Sequence, residues 1–173
     1  MEGVLLVAES AKHFARAPGP LARGHLRESG ATGSGTYGYA RLMATLGEVM
    51  SRDVITIEPF DTIGHAAEKM VAEGVSAIVV SDGGRLIGIV TERDLTRAVA
   101  GRVHSSEARV REWMTADPQV VSESTEPVEA VQIMLDGGFR HLPVVENERA
   151  VGIVSIRDLA EWSIGSQPEQ AQT

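Results

Sequence analysis

The chain has no cysteine among its 173 residues, so it holds no disulfide, no thiolate nucleophile and no cysteine-ligated zinc. Aromatic residues are scarce: two Trp, two Tyr and three Phe. A packed core must therefore be aliphatic. Long apolar runs are missing as well. The run Val4-Leu5-Leu6-Val7-Ala8 follows Glu2 and is too short for a signal-peptide core or a membrane span. Positive charge is in deficit, with 16 Lys and Arg against 24 Asp and Glu, a net charge of −8. That balance excludes nucleic-acid binding driven by counterion release. The five histidines (His13, His25, His65, His104 and His141) include no pair at metal-ligand spacing, so no metal site is expected. The expectation is a soluble, cytoplasmic protein.

Apolar content of 43 % is enough for a core, but it is unevenly spread. The first 43 residues carry five basic and three acidic side chains, and the remainder carries eleven and twenty-one. The stretch "RAPGPLARGHLRESGATGSGTYGY" has neither a 2.0 nor a 3.6 periodicity. It buries too little apolar surface to offset its ordering entropy, so residues 1–43 are expected to be disordered or weakly helical near Glu2–Arg16. Within it, "GATGSGT" (30–36) has the look of a phosphate-cradling loop. It lacks the lysine after the last glycine and no strand precedes it, so it reads as a flexible linker, or as sequence upstream of the true start. Residues 166–173 read as a flexible tail.

From Leu46 the chain repeats itself. A shift of 64 residues matches Glu48 with Glu112, Met50 with Met114, Met70 with Met134 and Gly74 with Gly138 without a gap to Leu159. Each copy reads β-α-β-β-α after a short lead-in segment. The first strands are "DVITI" (53–57) and "PQVVS" (118–122). In the first helix Asp61 or Thr62 caps, and Ile63, Ala66, Ala67, Met70 and Val71 form the buried stripe. Its counterpart has Thr125 as cap, Pro127 in the first turn, and Val128, Val131, Met134 and Leu135 as stripe. Both helices end at glycine, Gly74 and Gly137-Gly138. Hairpins follow: 76–81 with 85–90, and 141–146 with 150–154. Pro143 implies an edge position or a bulge. Second helices over 92–100 and 156–163 close the copies. The repeated methionines read as core fillers, and Trp113 and Trp162 as cover for an interface.

The strongest repeat is "GIVTERDL" (88–95) against "GIVSIRDL" (152–159). Thr91-x-x-Asp94 and Ser155-x-x-Asp158 sit where a strand ends and a helix begins. A capping box explains this locally, with the hydroxyl and the acid satisfying early N–H groups. The same turn exposes backbone N–H groups at the positive end of a helix dipole, a berth for phosphate. The hydroxyl suits that phosphate, and the aspartate suits the vicinal hydroxyls of a ribose. Capping and binding are compatible. Gly88 and Gly152 either admit a close backbone or ligand, or kink the strand.

Residues 46–162 resemble a tandem pair of cystathionine-β-synthase (CBS) domains, a Bateman module. The resemblance is carried by "EVMSRDVITI", "GVSAIVVSDGGRLIGIVTERDL", "EWMTADPQVV" and "GFRHLPVVENERAVGIVSIRDL". It implies an α/β, α+β-type fold of two β-α-β-β-α repeats packed with pseudo-twofold symmetry, as CBS domains over 44–103 and 108–165. It implies two clefts for adenosine-containing ligands: AMP, ADP, ATP or S-adenosylmethionine. Ribose and phosphate fall to Thr91 and Asp94 and to Ser155 and Asp158. The adenine wall falls to Val54, Ile55 and Thr56 with Ala77, Ile78 and Val79, and to Gln119 and Val120 with His141, Leu142 and Pro143. Val79 departs from the family by standing where many members have proline. The resemblance also implies a homodimer.

Arg93 and Arg157 are candidate phosphate clamps, or solvated first-turn residues. His141 is a candidate to stack on or hydrogen-bond a base. No nucleophile elbow and no matched acid–base pair is present, so the chain is not expected to be an enzyme. The leading reading is a regulatory ligand-sensing module. It needs no cofactor, takes an adenine nucleotide as regulatory ligand and signals by conformational or oligomeric change to an unknown protein target. The rival is a ligand-free dimerisation module acting through protein–protein contacts.

Overall fold

The computed structural model describes residues 44–165 of the chain. The expectations for residues 1–43 and 166–173 lie outside the described residues. Strand β1 (Thr56–Ile57) leads to helix α1 (Ile63–Glu73), hairpin β2 (Ala77–Asp82) and β3 (Arg85–Thr91), and helix α2 (Glu92–Ala100). A short helix α3 (Val110–Trp113) and strand β4 (Thr115–Ala116) open the second repeat. Helix α4 (Pro127–Gly137), hairpin β5 (His141–Glu146) and β6 (Arg149–Ser155), and helix α5 (Ile156–Gly165) complete it.

The first helices form for the reasons their sequences suggest, with two corrections. Thr62 caps α1, its Oγ1 accepting from the His65 N–H at 3.1 Å. Gly74 ends the helix at φ 66°, and Gly138 ends α4 at φ 67°, a left-handed position where a Cβ is strained. The cap of α4 is Glu126 rather than Thr125. Thr125 corresponds in the repeat to Asp61, and both fold back on the residue three before them: Asp61 accepts from the Glu58 N–H and Thr125 from the Ser122 N–H. The buried stripes are also narrower than the periodicity implies. Ile63, Ala66 and Met70 are buried in α1, and Ala130 and Met134 in α4. Val71, Val128 and Leu135 face outward, because a helix lying on one sheet face buries only the residues that turn toward it.

The sheets show where the duplication is imperfect. One sheet runs β1-β2-β3-β4, with β1 parallel to β2 and the other pairs antiparallel. The second pairs β5 with β6, flanked by single bridges at Val121↔Val144 and Ser51↔Ile153. Val79 accounts for part of the difference. Its N–H donates to the Ile55 carbonyl at 3.0 Å; Pro143, its counterpart, has no N–H to give. The ladder beside β5 is correspondingly shorter, whereas the bulge between Val144 and Val145 has its counterpart between Val80 and Ser81 and owes nothing to the proline.

The lead-in segments are exchanged. Leu46 and Met50 pack in the core of the second repeat with Val121, Ala130, Met134 and Leu142. Val110, Trp113 and Met114 pack with Ile57, Ile63, Ala66 and Ile78 of the first. Backbone bonds follow the same exchange: Leu46 N–H to the Thr125 carbonyl, and Val110 N–H to the Asp61 carbonyl, both 2.9 Å. The paired glycines belong to this arrangement. A Cβ on Gly88 would stand 2.5 Å from Met114 Sδ, and one on Gly152 would overlap Met50 Sδ. The close approach that these glycines permit is therefore to a methionine of the other repeat.

Candidate functional site: a cleft between the repeats

The C-terminal end of β6 runs directly into α5, and the turn between them borders a cleft of about 720 Å³. One side of the cleft is Ser155, Ile156, Arg157 and Asp158. The opposing side comes from the first repeat: Val54 and Ile55 ahead of β1, Met70 and Val71 on α1, Gly74 and Val75 just after it, and Ser76 and Ala77 at the start of β2. Three positions contribute from both repeats at once, as Ser76 with Arg140, Ala77 with His141, and Glu92 with Ile156.

The acidic side chain at this turn is held but not used up. Asp158 Oδ2 accepts from the Ser155 N–H at 2.7 Å, and the Asp158 N–H donates to Ser155 Oγ at 3.2 Å. This is a complete capping box built with aspartate. It leaves the Ser155 hydroxyl proton and Asp158 Oδ1 without a protein partner among the described residues. Arg157 turns away, its Nε donating to Glu161 Oε1 at 2.9 Å with the side chain 84 % exposed. Inside the cleft, His141 Nε2 lies 2.9 Å from Ser76 Oγ. Burial, and then the neighbouring Arg140 charge, hold its pKa below the ordinary value, against the pull of Asp158 and Glu92.

The matching turn after β3 is closed. Asp94 is 5 % exposed. Its Oδ2 accepts from the Thr91 N–H at 2.9 Å and from Thr91 Oγ1 at 2.7 Å, and Arg97 Nη1 donates to Oδ1 at 3.3 Å. Arg93 Nη1 reaches the Gly138 carbonyl at 3.4 Å. None of Thr91, Arg93 and Asp94 lines the 720 Å³ cleft.

Of the residues picked from the sequence, the cleft thus gathers Val54, Ile55, Ala77, His141, Ser155, Arg157 and Asp158. Ile78, Val79, Leu142 and Pro143 are buried. Thr56 and Gln119 are exposed. Val120 borders a separate hollow of about 430 Å³ with Arg85, Asp117 and Glu148. Sequence reasoning passed over Ser76 and Glu92 as cleft residues. Each was within reach of the 64-residue shift, since each is the counterpart of a residue beside or within a singled-out motif, Arg140 and Ile156. Among the described residues no helix is long and apolar enough to cross a membrane, and no three potential ligating side chains cluster to hold a metal.

Comparison with known proteins matches the CBS domain family model twice, over residues 46–101 and 110–165. An uncharacterised 17.7 kDa protein of Acidianus ambivalens is 41 % identical over 121 residues, 68 % of this chain and 73 % of that protein. The inosine-5′-monophosphate dehydrogenase of Methanocaldococcus jannaschii is 34 % identical over 114 residues, which are 65 % of this chain but only 22 % of that enzyme. Among solved structures, a signal-transduction protein with CBS domains from Burkholderia ambifaria superposes with a TM-score of 0.69 at 32 % identity, covering 75 % of this chain and all of that one. The CBS domain pair of protein MJ0100, solved with 5′-methylthioadenosine and S-adenosyl-L-methionine, shares the fold at a TM-score of 0.68 and 24 % identity, over 72 % of this chain and 99 % of that one.

Proposed function

The chain belongs to the CBS domain family as a tandem pair of these domains, and from that premise we propose that it senses an adenosine-containing ligand in the cleft at Ser155 and Asp158. Tandem CBS pairs are ligand-binding regulatory modules, and stand-alone members are regulatory rather than catalytic. The observation that carries the finer reading is the pairing, across one cleft, of a polar turn with an apolar wall. Asp158 Oδ1, without a protein partner among the described residues, suits a ribose hydroxyl. The Ser155 hydroxyl suits a phosphate or carboxylate; the Ile156 and Asp158 N–H groups are already taken by the Arg140 carbonyl and Ser155 Oγ. Val54, Ile55 and Ala77 supply an apolar surface for a purine.

Charge narrows the ligand. Asp53, Glu92 and Asp158 line the cleft against Arg140 and Arg157. One excess acid favours a monophosphate, or a sulfonium carrying an amino-acid tail, over a triphosphate. The fold neighbour's S-adenosyl-L-methionine and methylthioadenosine agree with an adenosine moiety. Because both repeats wall the cleft, a ligand that prefers one of their relative packings shifts the population toward it. A homodimer completes the proposal, and the outward-facing Val128 and Leu135 are apolar surface available to it. If that surface were the whole function, the module would dimerise without any ligand.

A thermal-shift panel decides between these. AMP, ADP, ATP, S-adenosylmethionine and methylthioadenosine are added to the native chain. A ligand at about 100 times its Kd stabilises by about 2.7 kcal/mol, a rise of several degrees for a domain of this size. A flat response to the whole panel overturns the sensor reading and leaves the dimerisation module.

A further inference from the structure

The two helices that follow the repeated phrase differ at one informative place. Four residues after Arg93 stands Arg97, and four residues after Arg157 stands Glu161. In the second repeat Glu161 draws the Arg157 guanidinium outward at 2.9 Å. Asp158 is left with Ser155 as its hydrogen-bond partner and an edge on the cleft. In the first repeat no acid occupies that place. Arg97 turns instead to Asp94 Oδ1 at 3.3 Å, so a cation and the Thr91 hydroxyl take up the carboxylate. Arg93, not held on its own helix, spans to the Gly138 carbonyl at 3.4 Å. Gly138 is the counterpart of Gly74, which lines the open cleft. The side chain that closes the first-repeat turn is therefore an intramolecular stand-in for a ligand's polar groups.

We propose that the Arg97/Glu161 difference sets the occupancy of the module: one adenosine-type ligand per chain, bound at Asp158, with Arg97 permanently occupying the half-site at Asp94. The inference rests on the function proposed above and adds the stoichiometry and its determinant. Arg97 and Glu161 act through Asp94 and Arg157 and are positioning residues.

The physical basis is competition for one carboxylate. A guanidinium tethered three residues away has a high effective concentration, and although its own side chain is 66 % exposed the Asp94 carboxylate it meets is buried, so a diffusing ribose competes poorly for that carboxylate. Glu161 does the reverse on its own helix, where an i, i+4 pair costs Arg157 little to leave when a phosphate is offered.

The test is isothermal titration of the full chain with AMP and, separately, S-adenosylmethionine. Circular dichroism and melting temperature report that each variant is folded. The wild type is expected to take one ligand per chain. Glu161→Arg gives Asp158 the same internal cation that Asp94 has and is expected to weaken binding at least tenfold. Glu161→Gln releases Arg157 without supplying a cation and is expected to tighten AMP binding severalfold. The opposite signs separate capture of Asp158 from a general disturbance of the helix. Two ligands per chain, a Glu161→Arg variant within twofold of wild type, or both variants moving AMP affinity the same way overturns the proposal while the sensor function stands. A wild type that binds neither probe overturns the proposal, and the five-ligand melting panel then decides the sensor function separately.

Discussion

The turns after β3 and β6 share a glycine, a hydroxyl, an arginine and an aspartate at the same spacing, yet they end in different chemical states. Asp94 is buried against Thr91 and Arg97, and Asp158 stands partly buried at the wall of a cleft. The residues that separate them lie outside the shared phrase: Arg97 against Glu161, Val79 against Pro143, Ala77 against His141. A duplicated motif thus conserves the local capping geometry, while its neighbours on adjoining elements decide whether the carboxylate serves the fold or remains available to something else.

The comparison can be broken most severely where both repeats depend on the same packing. Gly88 and Gly152 accept Met114 and Met50 from the other repeat. Replacing Gly152 by Val forces the methionine out of place and is expected to cost about 2–3 kcal/mol, read as a lower urea midpoint. Gly152→Val combined with Met50→Ala should cost less than the sum of the two single variants, and a double-mutant cycle with no coupling would remove the proposed contact.

The two aspartates should then part company. Asp158→Ala is expected to abolish the ligand-induced rise in melting temperature, together with about 1 kcal/mol of capping. Asp94→Ala is expected to cost about 1–3 kcal/mol with or without ligand, since it leaves buried donors unpaired. Equal ligand responses in the two variants would erase the distinction between the turns.

A smaller effect concerns His141, whose counterpart Ala77 cannot titrate. Burial holds its folded-state pKa below 6.5, so the unfolded chain takes up the proton first as pH falls. Its contribution to stability is full above about pH 6.5 and declines below it. Melting temperatures measured between about pH 7.5 and 5.5 should fall less in His141→Gln than in the wild type; parallel slopes would exclude His141 as a cause.

The smallest effect sits in the hairpin turns. Gly83-Gly84 and Asn147-Glu148 both adopt positive φ, and Glu148 does so at 63°. Two-residue hairpin turns of this kind favour glycine. Glu148→Gly is expected to stabilise by about 0.5–1 kcal/mol. An unchanged melting temperature would show that the left-handed backbone at Glu148 holds no strain for glycine to relieve.

Much of the architecture was legible in the residues. A gapless 64-residue repeat, glycine at both helix ends and a hydroxyl–acid box at both strand-to-helix turns are local patterns that local geometry enforces. The outward-facing Val71, Val128 and Leu135 were misread because periodicity reports which residues are apolar and not how wide a face a neighbour covers. Ser76 and Glu92 went unread because their role arises only where two repeats meet.

By itself, the sequence determined that this is a duplicated unit with an aliphatic core, and that each copy carries a hydroxyl–acid capped turn between a strand and a helix. The tertiary structure alone decided that the lead-in segments change places, and that one turn opens on a cleft while the aspartate of its twin is buried against Thr91 and Arg97. The reason is range: caps and turns are settled by bonds three or four residues long, whereas the fate of a carboxylate depends on which charged and apolar groups from distant parts of the chain arrive beside it.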